Sequence, residues 1–564
     1  MILIIAIMYL AVIIQGGFFA TAYLPLGILA LIGIPFVVKK IPSIKYVLPF
    51  LLICIIYLIS VLVTGVTIDS LKYSAKILVY FLFWILLSNA KDKEQLTKSI
   101  VILGFAVSII GIVAFSGLIP IGGMVNVKRL QGVFQYANAM GIFTAACSLT
   151  ANEIEDTKYK NMIMPMEIAL LLTQSAGAIL FYLIGLFAAI LLKYKGKRVE
   201  IMSGFVIRFS ISFISAAIMY LLPSNMKILS IVILVVLIIF QKKINVFCNK
   251  FKLPIVPIIS CVALAAAGLA VVRGGRFIGT FAERLIQISD GVAALAANIF
   301  TGLGPGNWAI QSYAWQSLDY TATYIHSSIV QIGVDAGIGA VIVVLLMFIY
   351  YFKYSINSKP FVFMAGAIII LHSLVDTTFS FSGIVIVLIT LFYIRTNEEA
   401  IVKVPRWSTI LAAVLLLPIF LGLTSWNYKY NQAIKSSEPI IQLRKLEESP
   451  INSYMGSLAL ANLYFNQGMA DDFNLQVKKI PYKTADVYYL QAKELFQEGN
   501  YEEALRFDYL CINESKMQSF GYTLALQIIN KLPEEEQSKQ QRILEGYRSA
   551  ALKSKHFLSY YIKN

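Results

Sequence analysis

Long apolar runs broken by short basic clusters constrain this chain more than any other feature. Residues 46–63 and 407–423 contain no charged side chain, and about 20 mostly apolar residues cross the roughly 30 Å of bilayer hydrocarbon as a helix. Hydrophobic residues make up 58% of the chain and charged ones only 14%, whereas a soluble protein carries about a quarter charged. A single water-soluble globule is therefore excluded. The runs predict an all-α, polytopic transmembrane bundle of about 12–15 spans over residues 1–426. Residues 2–14 lack a basic segment before them and a small-residue cleavage site, so they read as a first span rather than a removed signal peptide.

Orientation follows from the Lys and Arg bias of alternate loops. With a cytoplasmic N-terminus, Lys39, Lys40, Lys91, Lys93, Lys158, Lys160, residues 193–198, Lys242, Lys243, Lys353 and residues 395–406 all fall inside. Lys72, Lys128, Arg129, Lys227, Arg273, Arg276 and Arg284 fall outside, against the rule. Two outward segments are long, 119–137 and the loop 273–325, which is too polar to be a span. The net charge of +16 is scattered between apolar runs rather than gathered on one face, which argues against a nucleic-acid partner. The five cysteines form no CxxC pair and suggest neither a disulfide framework nor a zinc site.

Composition changes near residue 427, and 427–564 reads as a second, extracytoplasmic domain rich in Glu, Lys, Gln and Tyr. Within it, Leu460-Ala461-Asn462-Leu463-Tyr464-Phe465-Asn466-Gln467-Gly468 is echoed by Gln491-Ala492-Lys493-Glu494-Leu495-Phe496-Gln497-Glu498-Gly499, the glycines standing 31 positions apart. Tetratricopeptide repeats recur at about 34 residues. A helical-repeat domain of that kind is expected, with a generic bundle of helical hairpins as the alternative, and its repeats would offer a surface to a protein partner.

The chemistry has few candidates. Histidine occurs only at 326, 372 and 556, and His326 alone lies on the long outward loop, twenty positions after Gly306 in Gly302-Leu303-Gly304-Pro305-Gly306-Asn307. Such a run permits tight turns whose backbone N–H groups can form an anion-binding concavity, and it serves equally as a plain turn. His326 is a candidate base or an interfacial anchor. Arg129, Arg273, Arg276 and Arg284 share its predicted side, and guanidinium grips phosphate oxygens bidentately; meeting lipid headgroups is the alternative for each.

Arg129-Leu130-Gln131-Gly132-Val133-Phe134-Gln135-Tyr136-Ala137-Asn138, the 302–307 run with His326, Gln331-Ile332-Gly333-Val334-Asp335-Ala336-Gly337, and Leu371-His372-Ser373-Leu374-Val375-Asp376 occur in this order. Together they resemble the O-antigen ligase and O-antigen polymerase superfamily of bacterial membrane glycosyltransferases. The resemblance spans residues 129–394. It departs from the family where Ser175-Ala176-Gly177 lacks an arginine, where Ser327 follows the histidine in place of Asn, and where Asp335 replaces Glu.

The resemblance implies a multi-pass protein of the bacterial plasma membrane. It would transfer a glycan from an undecaprenyl-diphosphate carrier to a glycan, lipid or protein acceptor among the membrane lipids of the outer face. His326 would be essential, and Arg129, Arg273, Arg276, Arg284, Asn138, Gly302, Gly304, Gly306 and Asn307 would bind substrate. No Asp or Glu precedes Asp69, so the first outward loop lacks the acidic cation site of metal-dependent membrane glycosyltransferases, and no cofactor or metal is expected. A polymerase joining lipid-linked repeat units, a polysaccharide transporter or flippase, and an assembly scaffold are the rival readings.

Overall fold

The computed structural model describes residues 1–194, 196–250, 276–353, 359–396 and 401–562. These residues are almost wholly helical, with two short two-stranded pairings, so the all-α expectation holds. Among them, seven helices are long and apolar enough to cross a membrane: Ala20–Val37, Ile44–Thr64, Ile68–Leu87, Lys93–Phe115, Ala176–Lys193, Arg198–Leu221 and Arg406–Ala433. This is consistent with a membrane protein. It is fewer than the 12–15 expected, because several apolar runs form helices of only 10–17 residues, among them Ile2–Ile13, Ala137–Ala151 and Pro360–Ser373. A further apolar run, 251–272, lies outside the described residues.

The chain forms two compact units, each built from three segments. The first comprises Met1–Phe50, Leu78–Phe277 and Val344–Leu417, and the second Leu51–Ile77, Ile278–Val343 and Pro418–Asn564. The division expected from composition was at residue 427. The Arg406–Ala433 helix runs through that position without a break, and two internal segments pack with the C-terminal one.

In the first unit, every residue of the Ala137–Ala151 and Ile163–Leu172 helices is buried, as expected of helices apolar on all sides. Small side chains let backbones approach. A Cβ on Gly104 would come within 2.3 Å of the Cys147 Cβ, so the Lys93–Phe115 helix can lie this close only with glycine there. Charge inside this unit is matched. Arg208 Nη2 and the Tyr182 hydroxyl donate to Glu167 Oε1 at 2.8 and 2.6 Å, and Ser212 Oγ donates to Oε2 at 2.8 Å. Such pairing offsets the high cost of a buried charge.

In the second unit, consecutive helices after residue 438 pack on one another: Tyr454–Asn466 with Pro439–Glu447 and Ala470–Lys479, Ala485–Gln497 with Tyr501–Glu514, and Ser519–Ile529 with both Tyr501–Glu514 and Glu534–Ser554. One core gathers Leu460, Tyr464, Phe473 and Val477, and a second Ala504, Ile512, Leu524 and Ile528. Gly468 and Gly499 take positive φ at two of the turns, the left-handed conformation that commonly ends a helix. The same unit ties the start of the Ile68–Leu87 helix to its C-terminal segment, since Asp69 Oδ2 accepts from Ser453 Oγ at 2.9 Å and from the Met455 N–H at 3.4 Å.

Candidate functional site

Site residues expected from the sequence fall in both units. In the first, Arg129 lies on a hairpin pairing Val125–Asn126 with Arg129–Leu130. The two residues between the strands, Val127 and Lys128, take φ of 46° and 59°, the mirror-image turn whose hand suits a hairpin. Valine is a poor residue there, since a left-handed conformation costs it roughly 1–3 kcal/mol. The hairpin is tied down from outside, as Arg129 Nε donates to the Thr173 carbonyl at 3.1 Å and Gln174 Nε2 to the Lys128 carbonyl at 3.0 Å. Arg129 is thereby oriented through one edge of its guanidinium.

Further along the chain, Asn138 stands in the first turn of the Ala137–Ala151 helix. Its Nδ2 donates to Asp376 Oδ2 at 2.7 Å, and the Tyr136 hydroxyl donates to Asp376 Oδ1 at 2.9 Å. The Tyr136 ring stacks on Phe381 at 5.7 Å. His372 Nδ1 lies 2.7 Å from Thr378 Oγ1, and a Cβ added to Gly177 would lie 3.8 Å from the His372 ring. Two of the motif elements, 136–138 and 372–376, thus meet in one polar cluster at the head of a buried helix. Asn138 is itself nearly buried and its amide already engaged, so it positions the cluster rather than presenting a free donor.

The second unit holds the glycine run. Gly302, Gly304 and Gly306 all have positive φ, of 65°, 101° and 78°. Space forbids larger residues at all three, because a Cβ at 302 would lie 2.3 Å from the Val334 carbonyl oxygen, one at 304 would lie 2.3 Å from Thr64 Oγ1, and one at 306 would lie 2.3 Å from the Tyr73 ring. The backbone donors face inward: Gly302 N–H to Asn298 O, Leu303 N–H to Val334 O, and Asn307 N–H to Gly304 O. The Gly306 N–H donates to Asp335 Oδ1 at 3.3 Å. An open anion-binding concavity was one expectation for this loop. The acceptor it holds is the chain's own Asp335 carboxyl, which burial pushes up to about 7. Asn307 is fully buried, its amide donating to Leu303 O at 2.8 Å and to the Tyr482 hydroxyl at 3.3 Å, so it closes the turn instead of facing a substrate.

Asp335 organises the backbone around His326. Gln331 Nε2 donates to Asp335 Oδ1 at 2.9 Å, and Gln331 Oε1 accepts from the Ile325 N–H at 2.9 Å. The Ser60 hydroxyl lies 2.7 Å from Thr301 O and 2.9 Å from Asp335 O. On the other side of His326, Ser327 Oγ caps the Ser328–Ala336 helix by accepting from the Val330 N–H. His326 is half-buried, and the backbone to either side of it is fixed by these bonds.

Arg284 is also half-buried and lies on the Arg276–Ala297 helix, which occupies much of the expected loop. Gly291, two turns further along, is the point where this helix meets Ile325 and Val330, since a Cβ there would lie 2.6 and 2.8 Å from their side chains. Two turns advance a helix about 10.5 Å and return to nearly the same face. Asp290 on this helix accepts from Ser317 Oγ at 2.6 Å and the Tyr320 hydroxyl at 2.9 Å, and its burial raises its carboxyl above the usual range. Arg276 opens the helix with only its backbone described, and Arg273 lies outside the described residues.

Several residues of this unit were not among the candidates read from the sequence. Lys76 is buried on the Ile68–Leu87 helix, 5.7 Å from the Tyr324 ring centre and within electrostatic reach of Asp335. A lysine inside an apolar run, here one turn after Lys72, is costly in a membrane and was the signal available. Tyr73 packs on Tyr324 from the same helix at 6.1 Å. Nothing in the sequence marked Tyr482, 175 positions from its partner Asn307. No family model, curated protein or solved structure matches this chain.

Proposed function

We propose that the chain is a membrane glycosyltransferase of the O-antigen ligase and polymerase type, moving a glycan from an undecaprenyl-diphosphate carrier to an acceptor hydroxyl. The observation that carries the proposal is the setting of His326: a half-buried imidazole on an elbow fixed by the Gln331–Asp335–Gly306 network and by the Ser327 cap. A general base must be held in place without being sealed from its substrate. In the reaction, the acceptor oxygen attacks the anomeric carbon, its proton passes to the His326 imidazole, and the C–O bond to the carrier breaks with its electron pair leaving on the diphosphate. A single displacement inverts the anomeric carbon. Arg284, on the same unit as His326, is the cation assigned to diphosphate oxygens, and Arg129, Arg273 and Arg276 are retained as further candidates.

The helical pairs after residue 438 are read as tetratricopeptide-like, and they offer a surface for the acceptor or a protein partner. Purified protein in proteoliposomes, supplied with a lipid-diphosphate-linked glycan and an acceptor in the presence of chelator, tests the proposal. His326→Ala should lose about 10²- to 10⁴-fold in turnover while still inserting. Undiminished turnover refutes the role of His326. Loss of wild-type turnover in chelator replaces the metal-free reaction with a metal-dependent one. Elongated lipid-linked product identifies a polymerase, and transfer to a different acceptor a ligase.

A further inference from the structure

The Arg276–Ala297 helix is not among the helices apolar enough to cross a membrane, yet its exposed face is apolar. Phe281, Leu285 and Val292 recur at helical spacing on that face, and Ile299 and Phe300 continue it past the helix end. Between 281 and 300 the only exposed polar side chain is Ser289. Glu283, Arg284 and Asp290 are all half-buried or buried. A water-washed surface helix has the opposite arrangement, with its charges outward. Phe300 is 85% exposed and Phe281 52% exposed, more aromatic surface on one face than a soluble surface usually leaves open.

Continuity within the same unit identifies what covers this face. Thr301, next to Phe300, is held by the Ser60 hydroxyl at 2.7 Å. Ser60 stands four residues from the end of the Ile44–Thr64 helix, one of the candidate spans. Four residues are about 6 Å of helix. Around Ser60 that helix exposes Leu58, Ile59, Leu62 and Val63, a surface only hydrocarbon would cover if the helix spans. Phe300 therefore sits at the depth of that helix's last turn.

We infer that the Arg276–Ala297 helix lies along the bilayer surface, with the Phe281–Phe300 stripe dipped into the acyl chains of one leaflet. The inference depends on the membrane reading of the Ile44–Thr64 helix and is independent of glycosyl transfer. Its consequence is a ledge on which His326's neighbours Ile325 and Val330 rest at the edge of the hydrocarbon.

The test places the photocrosslinker benzoylphenylalanine at Phe281, Val292 and Phe300 of the full chain, in proteoliposomes of radiolabelled phosphatidylethanolamine and phosphatidylglycerol. Leu62 serves as the lipid-facing standard and the exposed Leu552 as the water-facing one. Lipid adducts at the three positions should approach those at Leu62 and exceed those at Leu552 by about tenfold or more. Adducts joining two chains would assign the face to a second copy and overturn the inference, as would yields no higher than at Leu552. Should a photoprobe variant fail to insert, Phe300→Trp makes the same distinction: brominated lipid should quench its added fluorescence, and an unquenched increment overturns the inference.

Discussion

Asn138 Nδ2 donates to Asp376 Oδ2 at 2.7 Å across 238 positions of sequence, joining the head of one buried helix to the segment after another. Asn138→Asp would set two carboxylates against each other in a nearly buried place, and like charges this close disfavour ionisation of both. Asp376→Asn keeps the shape and loses the charge-assisted bond, at a cost of roughly 1–3 kcal/mol. The exchange Asn138→Asp with Asp376→Asn restores one carboxylate and one amide. Thermal scanning of purified protein should rank the exchange above Asn138→Asp alone, and strict additivity of the two single effects would show that the contact is not made.

Gly302→Ala should be far more damaging than Gly499→Ala. Both residues have positive φ, but a Cβ at 302 would meet the Val334 carbonyl at 2.3 Å while one at 499 would meet nothing within 4 Å. The Gly499 variant bears only the conformational cost, about 1 kcal/mol. Gly302→Ala must move backbone, which displaces Val334 and its neighbour Asp335. Expression and thermal midpoint of the two variants measure the difference, and equal midpoints would contradict the close approach.

The membrane-length helices were legible because a run such as residues 407–423 can satisfy its backbone in lipid only as helix. The turns at Gly302, Gly304 and Gly306 were legible because local chemistry fixes them. Tyr482 acquires its role from Asn307, 175 positions away in the sequence, which no local pattern records. The Arg276–Ala297 helix was hidden by its charges: Glu283, Arg284 and Asp290 break the apolar run and keep it out of the spans, although the fold turns them inward. Composition shifts near residue 427 while the Arg406–Ala433 helix continues through it, so a change of composition did not mark the end of an element.

Arg129 should be less replaceable by lysine than its exposure suggests. Its Nε holds the Thr173 carbonyl at 3.1 Å, which aims the remaining guanidinium nitrogens, and a lysine has no second edge to aim. Arg129→Ala and Arg129→Lys are both expected to lose transfer, the lysine variant retaining the larger share. Gln174→Ala, which removes the other tie on the hairpin at Lys128, should give a smaller loss of about tenfold or less, comparable to one hydrogen bond. Steady-state kinetics against donor concentration reads all three, and full activity of Arg129→Ala would remove this residue from the diphosphate site.

Asp508 should make the C-terminal helices less stable as pH rises. It is fully buried on the Tyr501–Glu514 helix, neither carboxylate oxygen has a hydrogen-bond partner among the described residues, and burial pushes its carboxyl up to about 8. An exposed aspartate in the unfolded chain titrates near 3.9. The folded state therefore retains a proton that the unfolded state releases. Its contribution is fully present below about pH 4 and is lost as pH rises from there toward 8. Asp508→Asn removes the titration while keeping the size. Hydrogen exchange of the 501–514 segment in the full chain, compared between wild type and variant at matched pH, should show the variant better protected at pH 8 and the gap closing toward pH 5. A gap that does not change with pH would mean that Asp508 is not the group that titrates.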